Sequence, residues 1–306
     1  MRKLIAFIPH LFTLGNLFCG CLAIIFAFEK RLDLAFYTIL MGAFLDFFDG
    51  FFARILKVTG ELGKQLDSLA DVVSFGVAPA IMMLVFTDRI FDAYGVECMQ
   101  NDFLQFQGIK DIPVCSFDYT MGLHPLSYTV LIIALFSAFR LAKFNIDARQ
   151  THGFIGLPTP ANAMFLSSYI FSFLYITKNL PFQDVQKGWT IYPPLSANEY
   201  FVPTLPIKLE SIIAQGNLFQ IIYHPYFLII ISLVFSILLV SEIPLFALKF
   251  KNFSWGDNKV RYIFLILSAA LLIIFQLFAI PFIIILYIII SVINNIFNRG
   301  KFTLST

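Results

Sequence analysis

Apolar runs long enough to lie in hydrocarbon recur along this chain, and they restrict its fold more than any other feature. Stretches such as Tyr226 to Leu239 and Ile280 to Val292 carry no charge, and with their flanks they approach the ~20 apolar residues that cross a bilayer as a helix. Lipid offers no partner to a bare backbone, so only helices or closed barrels can span it, and unbroken apolar runs select helices. The composition agrees: 59% of the 306 residues are hydrophobic and 13% charged, against roughly 25% charged in soluble chains, and the mean hydropathy is +0.82. The fold class is therefore all-α, a polytopic membrane bundle of about eight transmembrane helices. The spans fall near residues 11–28, 33–56, 61–87, 125–143, 158–177, 225–248, 260–279 and 281–298. Met1, Arg2 and Lys3 lead into an apolar stretch with no small-residue cleavage site, which reads as a retained first span.

Two longer polar intervals, Asp88 to His124 and Lys178 to His224, read as extramembrane loops on one side. If the N-terminus is cytoplasmic, fourteen of the 21 Lys and Arg residues fall on the inner side, as the positive-inside rule favours. A net charge of +2 without a basic run longer than two residues speaks against a nucleic-acid partner. Cys19 and Cys21 lie in the first span, and Cys98 and Cys115, in the first long loop, are either a disulfide or two free thiols. His124 and His224, each before a proline, read as helix-boundary residues.

The chemistry sits in the second and third spans. Asp46 and Asp49 are three apart and Asp67 and Asp71 four apart, so each pair projects from one helical face about a turn apart. One ionisable side chain at membrane depth costs ~3 kcal/mol or more, and four in neighbouring helices need compensation. Crowded carboxylates in low dielectric protonate or recruit cations, and oxygen ligands suit Mg2+, Mn2+ or Ca2+ in preference to zinc. Two such ions would leave coordination positions for phosphate oxygens, the logic of two-metal phosphoryl transfer, which makes a diphosphate the expected substrate. Gly50, Ala53 and Gly63 remove bulk beside the acids, either for a ligand or for close helix packing. Arg54 can pair with an acid or a phosphate, or snorkel to the interface.

Taken together, Asp46-x2-Asp49-Gly50-x2-Ala53-Arg54-x8-Gly63-x3-Asp67-x3-Asp71 resembles, without a departure, the signature of the CDP-alcohol phosphatidyltransferase family. Residues Ile8 to Gly20 are similar to the opening of its bacterial serine-specific branch, although His10 stands where asparagine is usual. Phe139 to Asn145 and Gly156 to Pro160 resemble the same branch. The resemblance covers roughly residues 5 to 175 and implies a catalytic core at 1–178 (the first five spans); by polarity and hydropathy alone, 179–224 reads as an extramembrane loop and 225–306 as C-terminal transmembrane helices of the same membrane domain.

It further implies that Asp46, Asp49, Asp67 and Asp71 hold Mg2+ or Mn2+, two ions in all, and that Asp71 is also the catalytic base. Thr13, Asn16, Gly50, Ala53, Arg54 and Gly63 would lie against the CDP-lipid; from the residues alone Thr13 and Asn16, three apart on one face of the first span, reach either the nucleotide or a neighbouring helix. Arg140, Lys143 and Asn145, in a segment that also holds Arg149 and His152, would bind the serine carboxylate or a lipid phosphate; on charge alone they are equally positive-inside anchors. The implied partners are CDP-diacylglycerol, L-serine and the lipid bilayer, with homodimerisation, and the implied location is a bacterial inner membrane with the active site on the cytoplasmic side. Glycerol 3-phosphate, inositol phosphate or choline could replace serine under the same signature. A cation transporter is compatible with the layout but gives no reason for the fixed Gly, Ala and Arg positions.

Overall fold

The computed structural model describes residues 2–56, 60–91, 123–146, 154–178, 221–246 and 254–298. Cys98, Cys115, Arg149, His152 and most of both long polar intervals lie outside them. Among the described residues the chain runs through α1 (Arg2–Phe28), α2 (Leu32–Ile55), α3 (Glu61–Phe91), α4 (Pro125–Ile146), α5 (Thr159–Lys178), α6 (Pro225–Val240), α7 (Trp255–Phe275) and α8 (Ala279–Asn298). Two short strands, β1 (Phe154–Ile155) and β2 (Pro244–Leu245), pair antiparallel.

Among the described residues, five stretches have the length and hydropathy of a membrane span: α1 from Pro9, α2, α3, α4, and the run Asn258–Phe297 that contains most of α7 and α8. This is an integral membrane helical bundle. The final run is a hairpin, because Gln276 takes a positive φ of 52° and reverses the chain. At the turn Phe278 packs on Tyr175 (ring centroids 4.4 Å apart) near the end of α5, while at the far end of α8 the Asn295 amide donates to the Pro244 carbonyl beside β2.

α5 and α6 differ from the other helices for physical reasons. α5 is the axis of the bundle, meeting α2 through Phe36–Phe171 (4.5 Å), α3 through Phe86–Phe173 (5.0 Å) and α6 through Phe165–Phe235 (3.8 Å, stacked). A helix enclosed by protein need not be uniformly apolar, and the hydroxyls of Ser167 and Ser172 donate to backbone carbonyls one turn back. α6 stops at Val240, short of the expected residue 248, because Ser241 turns extended (ψ 149°) and Pro244 can neither donate a backbone hydrogen bond nor continue a helix.

α3 departs from regular geometry at Val72–Val77, a π-helical segment directly after Asp71. Such widened turns insert one residue and re-aim the side chains around them. Here the segment presents Ser74 to α1, where its hydroxyl donates to the Asn16 carbonyl (3.0 Å). Gly20 makes the approach possible: a Cβ there would lie 2.7 Å from Ser74 Oγ and 2.8 Å from Ser74 Cα.

Candidate active site

Helices α2 and α3 bring the acids together near one end of the bundle. Oxygen atoms of Asp46, Asp49 and Asp67 all lie within 4.8 Å of one another, and Asp46 also faces the carboxyl of Asp71. Asp49 and Asp71 are buried, while Asp46 and Asp67 are partly open. Three carboxylates this close, with a fourth beside them, fit a hard divalent cation through the chemistry of the donor set.

α1 orients two of these acids. Thr13 Oγ1 donates to Asp49 Oδ2 at 2.8 Å, and Asn16 Nδ2 donates to Asp71 Oδ1 at 3.2 Å. Thr13 and Asn16 are three residues apart, so one face of α1 serves the acids of two other helices. Both side chains thus engage acids of neighbouring helices. Asn16 Oδ1 has no partner among the described residues and lies against Gly42, where an added Cβ would come within 2.9 Å of it.

The small residues divide. Gly50 faces open space, with only an Arg54 nitrogen 4.0 Å from where its Cβ would be, whereas a Cβ on Gly63 would sit 3.0 Å from His10 Cε1. Gly63 therefore admits α1, and Gly50 leaves room beside the acids. Ala53 is half-buried and Arg54 exposed, and Arg54 has no partner among the described residues.

Asn145 stands apart from Arg140 and Lys143, which line one cleft. The Asn145 amide donates to Ser68 Oγ (2.8 Å) and its carbonyl accepts from Lys64 (3.2 Å), tying the end of α4 to α3. Lys143 pairs with Glu242 at 3.6 Å. Arg140 is buried, at 7% exposure; it donates to Thr159 Oγ1 at 2.7 Å, lies over the Phe144 ring at 5.6 Å, and sits within electrostatic reach of Asp71 and Tyr287. Arg140 and Lys143 share one narrow cleft, whose other walls are Ile155, Leu239, Val240 and Ser241. Sequence reasoning missed Glu242, Ser74, Gly20 and Gly42, because a lone acid, a serine and two glycines carry no signal until the helices are placed.

The family model described as CDP-alcohol phosphatidyltransferase matches residues 6–192, which include all four aspartates. The chain is 36% identical over 169 residues to the CDP-diacylglycerol--serine O-phosphatidyltransferase of Bacillus subtilis, covering 55% of this chain and 77% of that one. It is 30% identical over 158 residues to the protein of the same name from Helicobacter pylori, covering 51% of this chain and 54% of that one. An archaetidylserine synthase of Methanothermobacter thermautotrophicus is 30% identical over 181 residues, covering 57% of this chain and 63% of that one.

Proposed function

Because this chain belongs to the CDP-alcohol phosphatidyltransferase family, we propose that it transfers the phosphatidyl group of CDP-diacylglycerol to the hydroxyl of L-serine, releasing phosphatidylserine and CMP. The observation that carries this reading is the convergence of Asp46, Asp49 and Asp67 beside an Asp71 held by Asn16. The serine acceptor is supported by the names of the matched relatives.

Asp46, Asp49, Asp67 and Asp71 are the residues that would hold two ions, Mg2+ or Mn2+. The chemistry divalent ions supply when bound at such a site is neutralisation of the diphosphate and of the charge that grows on departing CMP. Asp71, oriented by the Asn16 amide, acts as the base that takes the proton of the serine hydroxyl. The serine oxygen then bonds to the lipid-side phosphorus, and the bond from that phosphorus to the oxygen of CMP breaks. Open space beside Gly50 and the exposed Arg54 guanidinium form the side toward the cytidine diphosphate, and Arg140 receives the acceptor carboxylate. Residues 1–178 supply this core and 225–306 complete the same membrane domain. The site faces the cytoplasm of a bacterial inner membrane in a homodimeric enzyme; the bias of Lys and Arg toward that end of the helices supports the orientation.

Purified protein with CDP-diacylglycerol and Mn2+ or Mg2+ should incorporate label into lipid from serine but not from glycerol 3-phosphate or inositol. Asp71→Asn should reduce the rate at least ~100-fold, the scale of lost general-base catalysis. Label entering from another alcohol would reassign the acceptor; no metal-dependent release of CMP from folded protein would remove the activity.

A further inference from the structure

The cleft between α4 and the end of α6 has a charge pattern that the aspartate cluster does not explain. Two cations project into it from α4, and its far wall comes from residues 239–241, beyond the residues the family model matches. Glu242, next in sequence to that wall, holds its carboxylate 3.6 Å from Lys143 and is 69% exposed. At the deep end of the cleft Arg140 is buried, and its Nε has no partner among the described residues. A buried guanidinium N–H left without an acceptor is costly, so this atom points to a ligand that brings one.

Arg140 and Lys143 are one helical turn apart, ~4.5 Å along the axis, and Glu242 marks the outer of the two positions. Arg140 lies toward Asp71, so an acceptor with its carboxylate on Arg140 and its ammonium outward presents its hydroxyl to the base.

We propose that Glu242 binds the ammonium group of a zwitterionic acceptor and, by the same charge, turns away alcohols that carry a phosphate. The inference rests on the serine reading above and deepens it. Arg140 and Lys143 alone would form a dication suited to a phosphate ester; Glu242 reduces the cleft to a single net positive charge, which a zwitterion tolerates and a dianion does not. The wall that carries Glu242 is fixed to the core. Gly156 N–H donates to the Ile243 carbonyl (3.0 Å), Leu157 N–H to the Leu238 carbonyl (2.9 Å), and β1 pairs with β2.

The test compares the full-length wild type with Glu242→Gln and Glu242→Asp, with CDP-diacylglycerol and Mn2+ present. Serine KM would be measured, together with inhibition by ethanolamine (an ammonium without a carboxylate), 3-hydroxypropionate (the converse) and glycerol 3-phosphate. Glu242→Gln should raise serine KM about tenfold or more, the scale of a lost charge-assisted contact, with the loss falling on KM far more than on kcat. Ethanolamine should inhibit less, 3-hydroxypropionate no less than before, and glycerol 3-phosphate more strongly; Glu242→Asp should lie between. Equal weakening of ethanolamine and 3-hydroxypropionate would overturn the proposal, since it would mean that Glu242 only shapes the cleft through Lys143. Wild-type values throughout in Glu242→Gln would overturn it while leaving the serine reading intact. A wild type that labels lipid from a phosphorylated alcohol and not from serine would remove both.

Discussion

Two polar side chains on an otherwise apolar helix decide how the aspartates point. Thr13 gives its one proton to Asp49 at 2.8 Å and Asn16 an amide proton to Asp71 at 3.2 Å, so each holds a carboxylate in one rotamer before any ligand arrives. Partners of metal-binding carboxylates typically change metal affinity 10–100-fold when removed. Thr13→Val keeps the side-chain shape and deletes the donor. It should raise the Mn2+ concentration for half-maximal activity about tenfold or more and leave thermal stability within a few degrees, as a titration of CMP release against Mn2+ would read. An unchanged Mn2+ dependence would mean that Thr13 does not orient Asp49. At this scale the acids were fully legible in the sequence, because spacing along a helix dictates which side chains share a face. The polarity of Thr13 and Asn16 was visible too, but their partners were not, since those depend on how α1 crosses α2 and α3.

At the scale of elements, most of the fold was legible because membrane helices announce themselves by length and hydropathy. The illegible parts are local. Nothing in Val72–Val77 marks a π-helical turn, which arises where tertiary contacts reward one extra residue. The 16-residue α6 reads as longer because the apolar character runs on beyond Pro244 to Leu248. The α1–α3 contact at Gly20 shows how fine the fit is. An alanine there would put its Cβ 2.7 Å from Ser74 Oγ and 2.8 Å from Ser74 Cα, and a backbone atom cannot step aside as a side chain can. Gly20→Ala should destabilise the bundle by about 1–3 kcal/mol and lower its melting temperature in detergent. Gly15→Ala is the control: its Cβ would meet only Leu45 Cδ1, at 3.1 Å, which can rotate away. Equal melting temperatures for the two variants would show that α1 and α3 can separate without penalty.

The whole molecule is closed by a small device at one end. Residues 154–157 pair with β2, bond to the end of α6 and lead into α5, so this segment joins the core helices to those that follow residue 225. Gly156 is the pivot. Its φ of +76° favours glycine, and an added Cβ would lie 2.5 Å from the Leu239 carbonyl oxygen and 2.9 Å from that of Ser241. Gly156→Ala therefore meets two penalties together, a strained backbone at ~1–2 kcal/mol and a collision with a neighbouring main chain. Relief requires the 239–245 segment to move off α4, which carries away the wall facing Arg140 and Lys143 while the α1–α2–α3 contacts around the aspartates stay in place. The expected result is a lower melting temperature with a raised KM for the acceptor alcohol, and little change in the Mn2+ dependence of CMP release. Gly60→Ala supplies the comparison, because nothing lies within 4 Å of a Cβ there and the change costs only the modest loss of a glycine N-cap, so it should melt within a few degrees of the wild type. If Gly156→Ala matched Gly60→Ala in both melting and acceptor KM, β1 and β2 would be an incidental contact. If it changed the Mn2+ dependence as strongly as the acceptor KM, the clip would be supporting the aspartate cluster itself, and the two ends of the cleft could not be treated as separate parts.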